Sequence, residues 1–286
     1  MEAGFSLALR DSTIGIFGLG LMGGSIALGL KGHCRTLIGF DSHLPTLKLA
    51  LSKNIIDYAE SDSAISLPQV DLLILATPVQ SIVNIIQQLP SLMPNSCIVI
   101  DLGSTKTEIL RAMNVLPSRF EVIGGHPICG KEKPGLENAD PNLYQDAPFV
   151  ITPLERTTQR AKSAVEQIIL TIGAHPIEMT AEEHDRILAS TSHLPFLLSS
   201  ALAHSTSPNF ASLIGPGFRS TSRLAGTPSN MMLGILKSNR GNILDSIKYF
   251  HNSLNEIESS LQDEDYAKLE LILKQSQSAY HVFVDR

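Results

Sequence analysis

The sequence predicts an α/β chain in two parts, a doubly wound parallel sheet followed by an all-helical segment. Up to about residue 179, short runs rich in β-branched and aliphatic residues alternate with helical patterns, and from Thr180 onward the strand pattern does not return. The runs are almost continuously apolar rather than alternating, as expected of strands covered on both faces. The length of 286 residues fits two domains at ~150 residues each.

In order, the strand candidates are Thr13 to Gly18, Thr36 to Asp41, Asp71 to Pro78, Cys97 to Leu102, Glu121 to Gly125 and Phe149 to Thr152. Helical stretches such as Gly20 to Gly32 and Gln80 to Leu89 lie between them, and strand–helix–strand repetition implies right-handed parallel crossovers. Thr157 to Ile172 reads as a further helix and Ala174 to Met179 as a last extended segment. Thr180 and Glu183 then form a capping box that opens a helix. The rest is helical, broken around Ser207–Pro208 and Gly215–Pro216–Gly217. The division falls near residue 179, giving a dinucleotide-binding domain over 1–179 and a helical domain over 180–286.

Composition removes several function classes. Hydrophobic residues make up 43% and charged residues 17%, which excludes a disordered chain. The net charge of −6, with no basic run, argues against a nucleic-acid partner. No apolar run approaches the ~20 residues of a membrane span. The segment Met1 to Asp11 is too short in its apolar part, and too acidic, for a signal peptide. Cys34, Cys97 and Cys129 are widely spaced and odd in number, which fits a reducing, cytoplasmic setting. No metal site is expected.

Gly18-Leu19-Gly20-Leu21-Met22-Gly23 is a GxGxxG string that follows a strand and opens a helix. In that context Gly18 makes the tight turn, Gly20 admits a pyrophosphate to the backbone and Gly23 lets helix and strand touch. The helix N-terminus adds bare N–H groups and a positive dipole end. Asp41 ends the next strand, where a carboxylate accepts hydrogen bonds from the adenosine ribose and repels a 2′-phosphate. The cofactor expected is NAD. Thr77, Pro78 and Val79 end the next strand towards the same edge and are read as lining it.

Gly103-Ser104-Thr105-Lys106 and Gly125-His126-Pro127 also sit at strand carboxyl ends. A histidine there has an ordinary pKa near ~6.5, suited to proton transfer at neutral pH. GLGLMGGS, DLGSTK, GGHPICGKEKPG, the pair His184–Asp185, SHLPF and GFRSTSR occur in order. Together these strings resemble the prephenate/arogenate dehydrogenases of tyrosine biosynthesis. The resemblance implies a Rossmann domain followed by a helical dimerisation domain, and oxidative decarboxylation of prephenate, or of arogenate, with NAD as hydride acceptor.

On matched positions it assigns His126 as proton acceptor, and Ser104 as partner of the substrate hydroxyl beside the nicotinamide. Arg223 is matched to the holder of a substrate carboxylate, for which guanidinium is the natural bidentate partner. Arg219 lies four residues earlier, on the same face if both are helical. His193 matches a histidine near substrate. On a straight helix His184 and His193 would point half a turn apart, although Pro195 disturbs such a helix. His184–Asp185 is therefore read as an orienting or structural pair.

The chain departs from the family pattern at Lys131, Phe196 and Ser220, and in Thr227-Pro228-Ser229-Asn230. Lys131 is expected to read the substrate side chain and to favour the more anionic prephenate. Cys129 is expected to pack. A 3-hydroxyacid-type dehydrogenase would need a helical lysine followed by a suitably spaced asparagine, which Lys237 with Arg240 and Asn242 does not supply. A non-catalytic dinucleotide-binding regulator would be expected to lose His126 or Ser104, and both are present. Apolar residues from Ile235 to Ile257 recur at helical spacing, and a homodimer through the C-terminal helices is expected. No room is expected beyond Arg286 for a regulatory or mutase domain.

The Asp41 carboxylate generates the first prediction. NAD+ should exceed NADP+ in kcat/KM by more than ~10-fold, about 1.4 kcal/mol, and Asp41→Ser should narrow that ratio. Equal use of the two cofactors by the parent enzyme would refute this reading of Asp41.

Overall fold

A computed structural model of the chain describes residues 7–61, 67–131 and 133–284; the first part of the segment tested as a signal peptide, and the last residues, lie outside these. Among the described residues there are eight strands: β1 Thr13–Phe17, β2 Thr36–Phe40, β3 Tyr58–Glu60, β4 Leu72–Leu75, β5 Cys97–Asp101, β6 Phe120–Pro127, β7 Pro148–Thr152 and β8 His175–Glu178. They form one sheet in the order β3-β2-β1-β4-β5-β6-β7-β8. The chain reverses its winding between β3 and β4, so the β1/β4 junction is the crevice where ligands collect in such sheets.

Successive strand residues serve two cores. Leu72, Ile74, Ile98 and Ile100 pack on one face with Ile26 of helix α1 (Leu21–Leu30) and Val165 and Ile168 of α5 (Gln159–Thr171). Leu73, Leu75 and Val99 pack on the other with Ile82 and Ile86 of α3 (Val79–Leu92) and Ile109 of α4 (Thr107–Asn114). Helix α2 (Leu44–Ser52) packs against β3 at the edge of the sheet. This double covering is why the strands read as unbroken apolar runs.

Two features depart from the expected sheet. β3 is a strand of three residues at the edge, too short and too exposed to show as an apolar run. β7 runs antiparallel to β6, pairing Gly124 with Thr152 and His126 with Val150. The purely parallel expectation is corrected there. The 20-residue connection between them has no crossover helix. It passes instead along α1, where the Tyr144 hydroxyl donates to the Met22 carbonyl at 2.6 Å and the Asp140 N–H to the Ser25 hydroxyl at 2.9 Å.

After β8 the Thr180 side chain and Glu183 form the capping box of α6 (Ala181–Leu188). A π-helical turn, Ala189–His193, leads into α7 (Leu194–Ser205). Pro195 explains it. A proline ring clashes with the carbonyl four residues earlier in a regular helix, and the wider turn, closed by the Leu194 N–H on the Ala189 carbonyl, relieves that clash. The predicted breaks become a 3-10 segment, Pro208–Leu213, and the start of α8 (Pro216–Ser222). A second 3-10 turn, Arg223–Gly226, precedes α9 (Ser229–Ser238), α10 (Arg240–Gln262) and α11 (Tyr266–Val284).

The β1–α1 turn has no slack. Gly18 has φ +85°, a conformation that side-chain-bearing residues avoid. A Cβ on Gly23 would stand 1.8 Å from the Gly18 carbonyl oxygen. Gly23→Ala must therefore push α1 off β1. It should destabilise the fold by about 1–3 kcal/mol and weaken NAD+ binding at least tenfold, read by thermal melts and fluorescence titration. An unchanged Tm and NAD+ affinity would contradict the close contact.

Candidate active site

The carboxyl ends of β1, β4, β5 and β6 converge on one edge of the sheet, and the helical part closes over the β5 and β6 side. Gly20 precedes α1, and a Cβ built on it would meet nothing within 4 Å. That open face, over uncapped N–H groups of the helix, suits a phosphate group. The Asp41 carboxylate accepts the Leu19 N–H at 2.8 Å and the His43 N–H at 2.8 Å, which holds it beside the glycine turn. The Thr77 hydroxyl is buried against that turn without a hydrogen-bond partner among the described residues. An open glycine, an anchored carboxylate and an orphaned hydroxyl fit a bound dinucleotide.

The second cluster is a chain of buried polar groups. Asp185 accepts the backbone N–H of Lys106 at 2.7 Å and of Thr107 at 2.9 Å, and its Oδ1 lies 2.8 Å from His184 Nδ1. His184 Nε2 lies 2.8 Å from His126 Nδ1. A carboxylate can only accept, so His184 carries a proton on Nδ1, and as a neutral ring it offers a bare Nε2. His126 must then donate from Nδ1, which leaves its own Nε2 unprotonated. One direction of donation fixes both tautomers.

Burial, then the neighbouring His184, Lys106 and His193, pushes the His126 pKa well below the ordinary histidine value. Burial alone would raise the Asp185 pKa, but hydrogen bonds from His184, Thr107 and Lys106 hold it below the usual carboxylate range. Lys106 is fully buried, paired with buried Asp101, and its ammonium donates to the Gly125 carbonyl at 2.6 Å. Burial drives the Asp101 pKa up and the Lys106 pKa down, against their mutual attraction.

His193 joins the same cluster through Asn239, whose side-chain Nδ2 lies 2.6 Å from the Asp185 carbonyl and 3.2 Å from His193 Nδ1. The π turn changes the angular count that would have set His184 and His193 apart. Burial pushes the His193 pKa down to about 4. Ser104 is half-buried in the loop between Asp101 and Lys106.

The structure brings His126, His184, Asp185 and His193 together around that loop. Arg219 and Arg223 stand apart from these contacts, exposed on the segment that packs over α7. α8 ends at Ser222, and Arg223 opens the 3-10 turn that follows it. The Lys131 ammonium meets Asp140 at 2.7 Å, and that bond holds the Asp140 pKa below its usual value. The two side chains are 42% and 36% exposed and lie along a shallow cavity of about 460 Å³. Cys129 packs against the core, and burial raises its thiol to about 11, so it is no thiolate. Lys106, Asp101 and Asn239 were not singled out in the sequence. Lys106 stands in the DLGSTK string, but no local spacing marks Asn239.

The profile of one protein family, described as prephenate dehydrogenase, nucleotide-binding domain, matches residues 26–178. A second, described as prephenate dehydrogenase, dimerization domain, matches residues 180–275. The chain belongs to the prephenate dehydrogenase family. Prephenate dehydrogenase of Bacillus subtilis is 33% identical over 268 residues, covering 90% of this chain and 72% of the relative. A crystal structure of prephenate dehydrogenase from A. aeolicus in complex with hydroxyphenyl propionate and NAD+ superposes with a TM-score of 0.90 at 28% identity, covering 96% of this chain and 99% of that one. Arogenate dehydrogenase of Synechocystis gives a TM-score of 0.82 at 29% identity, covering 95% and 100%.

In this member of the prephenate dehydrogenase family, the depressed pKa values of half-buried His126 and buried His193 have a consequence for stability. The unfolded chain protonates them below ~6.5 whereas the folded chain does not, so acidification binds more protons to the unfolded state. Stability is complete above ~6.5 and should fall between pH 6.5 and 5. His193→Gln removes one such group and should flatten the dependence of Tm on pH. A parent Tm that holds or rises over that interval would contradict burial of the neutral rings.

Proposed function

We propose that this chain converts prephenate to 4-hydroxyphenylpyruvate and CO₂, with NAD+ as the hydride acceptor. The observation that carries the proposal is the bare Nε2 of His126, held neutral at the carboxyl end of β6 on the edge that holds the glycine turn. A base at that position takes the proton of the ring hydroxyl as hydride leaves the same carbon. NAD+ supplies the electron-pair acceptor. The bond to the ring carboxylate then breaks, its electrons make the ring aromatic, and His126 returns the proton to the phenolic oxygen. Aromatisation makes the sequence irreversible in practice.

The other roles follow the family resemblance. Ser104 bonds the same hydroxyl and meets the nicotinamide end. Gly18 to Gly23, Asp41, Thr77, Pro78 and Val79 hold the dinucleotide. Arg223, assisted by Arg219, holds a substrate carboxylate, and His193 lies against the substrate. The division at 179/180 separates the dinucleotide-binding part from the helical part. α11 has no buried residue, and Leu271, Leu273 and Phe283 on it are exposed, the last at 76%. A second copy of the chain covers that apolar surface. No described helix is long and apolar enough to cross a membrane; three free cysteines support a cytoplasmic setting.

A second reading, arogenate as substrate, is favoured by the pairing of Lys131 with Asp140. The carboxylate answers the lysine charge that would otherwise select the more anionic prephenate.

The test is initial-rate kinetics with both substrates and NAD+. Prephenate should give the higher kcat/KM. His126→Asn should lower kcat by roughly 10²–10⁴ and leave NAD+ affinity nearly unchanged. The bare-nitrogen base also fixes the sign of the pH dependence. kcat/KM should rise with pH only on an acid limb lying well below the ordinary histidine value, and be flat from about pH 6.5 upward. Near-normal turnover by the His126 variant would place the base elsewhere, and a higher kcat/KM with arogenate would select the second reading.

A further inference from the structure

Asn239 occupies the junction between α9 and α10, is 3% exposed, and satisfies all its hydrogen-bonding groups within the protein. Its carbonyl oxygen accepts the Asn242 amide at 2.8 Å, which identifies that end of the side chain as oxygen. The other end, 2.6 Å from the Asp185 carbonyl, can only be the donating NH₂ group. Its second hydrogen is then aimed at His193 Nδ1, 3.2 Å away. A ring nitrogen that accepts a hydrogen bond carries no proton, so in neutral His193 the proton sits on Nε2. The His193 side chain makes no other hydrogen bond among the described residues.

We propose that Asn239 is a positioning residue that holds His193 as the Nε2–H tautomer, so that His193 donates a hydrogen bond to a substrate oxygen where His126 accepts one. The two rings are chemically identical, and their neighbours give them opposite tasks. His126 donates inward from Nδ1 and is left with a bare Nε2; His193 accepts inward at Nδ1 and is left with a protonated Nε2. Burial, which keeps His193 neutral, makes the tautomer matter, because a doubly protonated ring would donate from both nitrogens. The substrate contact rests on the function proposed above, but the tautomer does not.

The experiment has two arms. Glutamine places its amide near the Nε2 position of histidine and asparagine near Nδ1. His193→Gln should therefore keep the KM for prephenate within about threefold, and His193→Asn should raise it roughly tenfold. In the second arm, Asn239→Asp puts a carboxylate against Nδ1, which draws the proton there and raises the His193 pKa. The titratable groups facing His193 are Asp185 and His184 from α6 and His126 from β6, all unchanged in that variant. The KM of Asn239→Asp should climb with pH between about 6 and 8 as the ring loses its second proton and its outward N–H. The parent should be flat there, and Asn239→Leu should be flat with a raised KM.

A merely structural asparagine would lower Tm in both Asn239 variants and leave both pH profiles flat; that result overturns the proposal. If Asn239→Asp does not fold, the first arm decides, and a KM preserved better by asparagine than by glutamine overturns it. If neither His193 variant changes KM, His193 donates nothing to the substrate and the proposal is overturned.

Discussion

The Asp185 carboxylate is the contact on which the rest of the site depends. It is 1% exposed, and an anion so buried is tolerable only with several donors around it. Two of them are the backbone N–H groups of Lys106 and Thr107, at the opening of α4 where the helix dipole is positive. The third is His184. Asp185 thus ties the β5–α4 loop to the first helix beyond the sheet, and the same atoms set the direction of every proton outward to His126. An acceptor-only group at the base of the relay makes the tautomers a matter of geometry.

The buried Lys106–Asp101 pair is the second constraint. An ion pair in such surroundings is weak grounds for stability, because desolvation offsets much of the attraction. Its value here is positional. Asp101 accepts from the Gly103 N–H on one side, and Lys106 donates to the Gly125 carbonyl on the other. The pair therefore sets the spacing between the loop that carries Ser104 and the strand end that carries His126. It also brings a cation close enough to help keep His126 unprotonated. Positioning and tuning come from one side chain.

Much of this was legible in the sequence, for physical reasons that differ by element. The strands β1, β2, β4 and β5 were readable because burial on both faces leaves an unbroken apolar run, and the α6 start because a capping box is local. The direction of β7 was not, since Phe149 to Thr152 is equally apolar whichever way it pairs. The glycine turn and His126 were found because their chemistry is marked by neighbours in the chain. His184 was read as part of an orienting or structural pair, and its contact with His126 was not visible. The bond to His126 spans 58 residues and Lys106 to Asp185 spans 79, and no local periodicity reports contacts at such separations. The π turn was only half visible. Pro195 announces a disturbance, but where the extra residue is absorbed depends on packing.

The helical half does more than cover the sheet. Asn239 ends α9, opens α10 and touches both Asp185 and His193. Ser238, its neighbour, shares a hydrogen bond with Thr105 in the loop of Ser104 at 2.8 Å. From this junction α10 runs for 23 residues, about 34 Å at 1.5 Å per residue, towards the exposed apolar faces of α10 and α11. A helix is stiff along its axis, so whatever holds those faces also steadies the end that carries Asn239. The site is built from two halves joined by a few buried polar contacts, and such contacts keep their geometry only when neither half can rock. A second copy packed on α10 and α11 would supply that restraint to the end of α10 that carries Asn239.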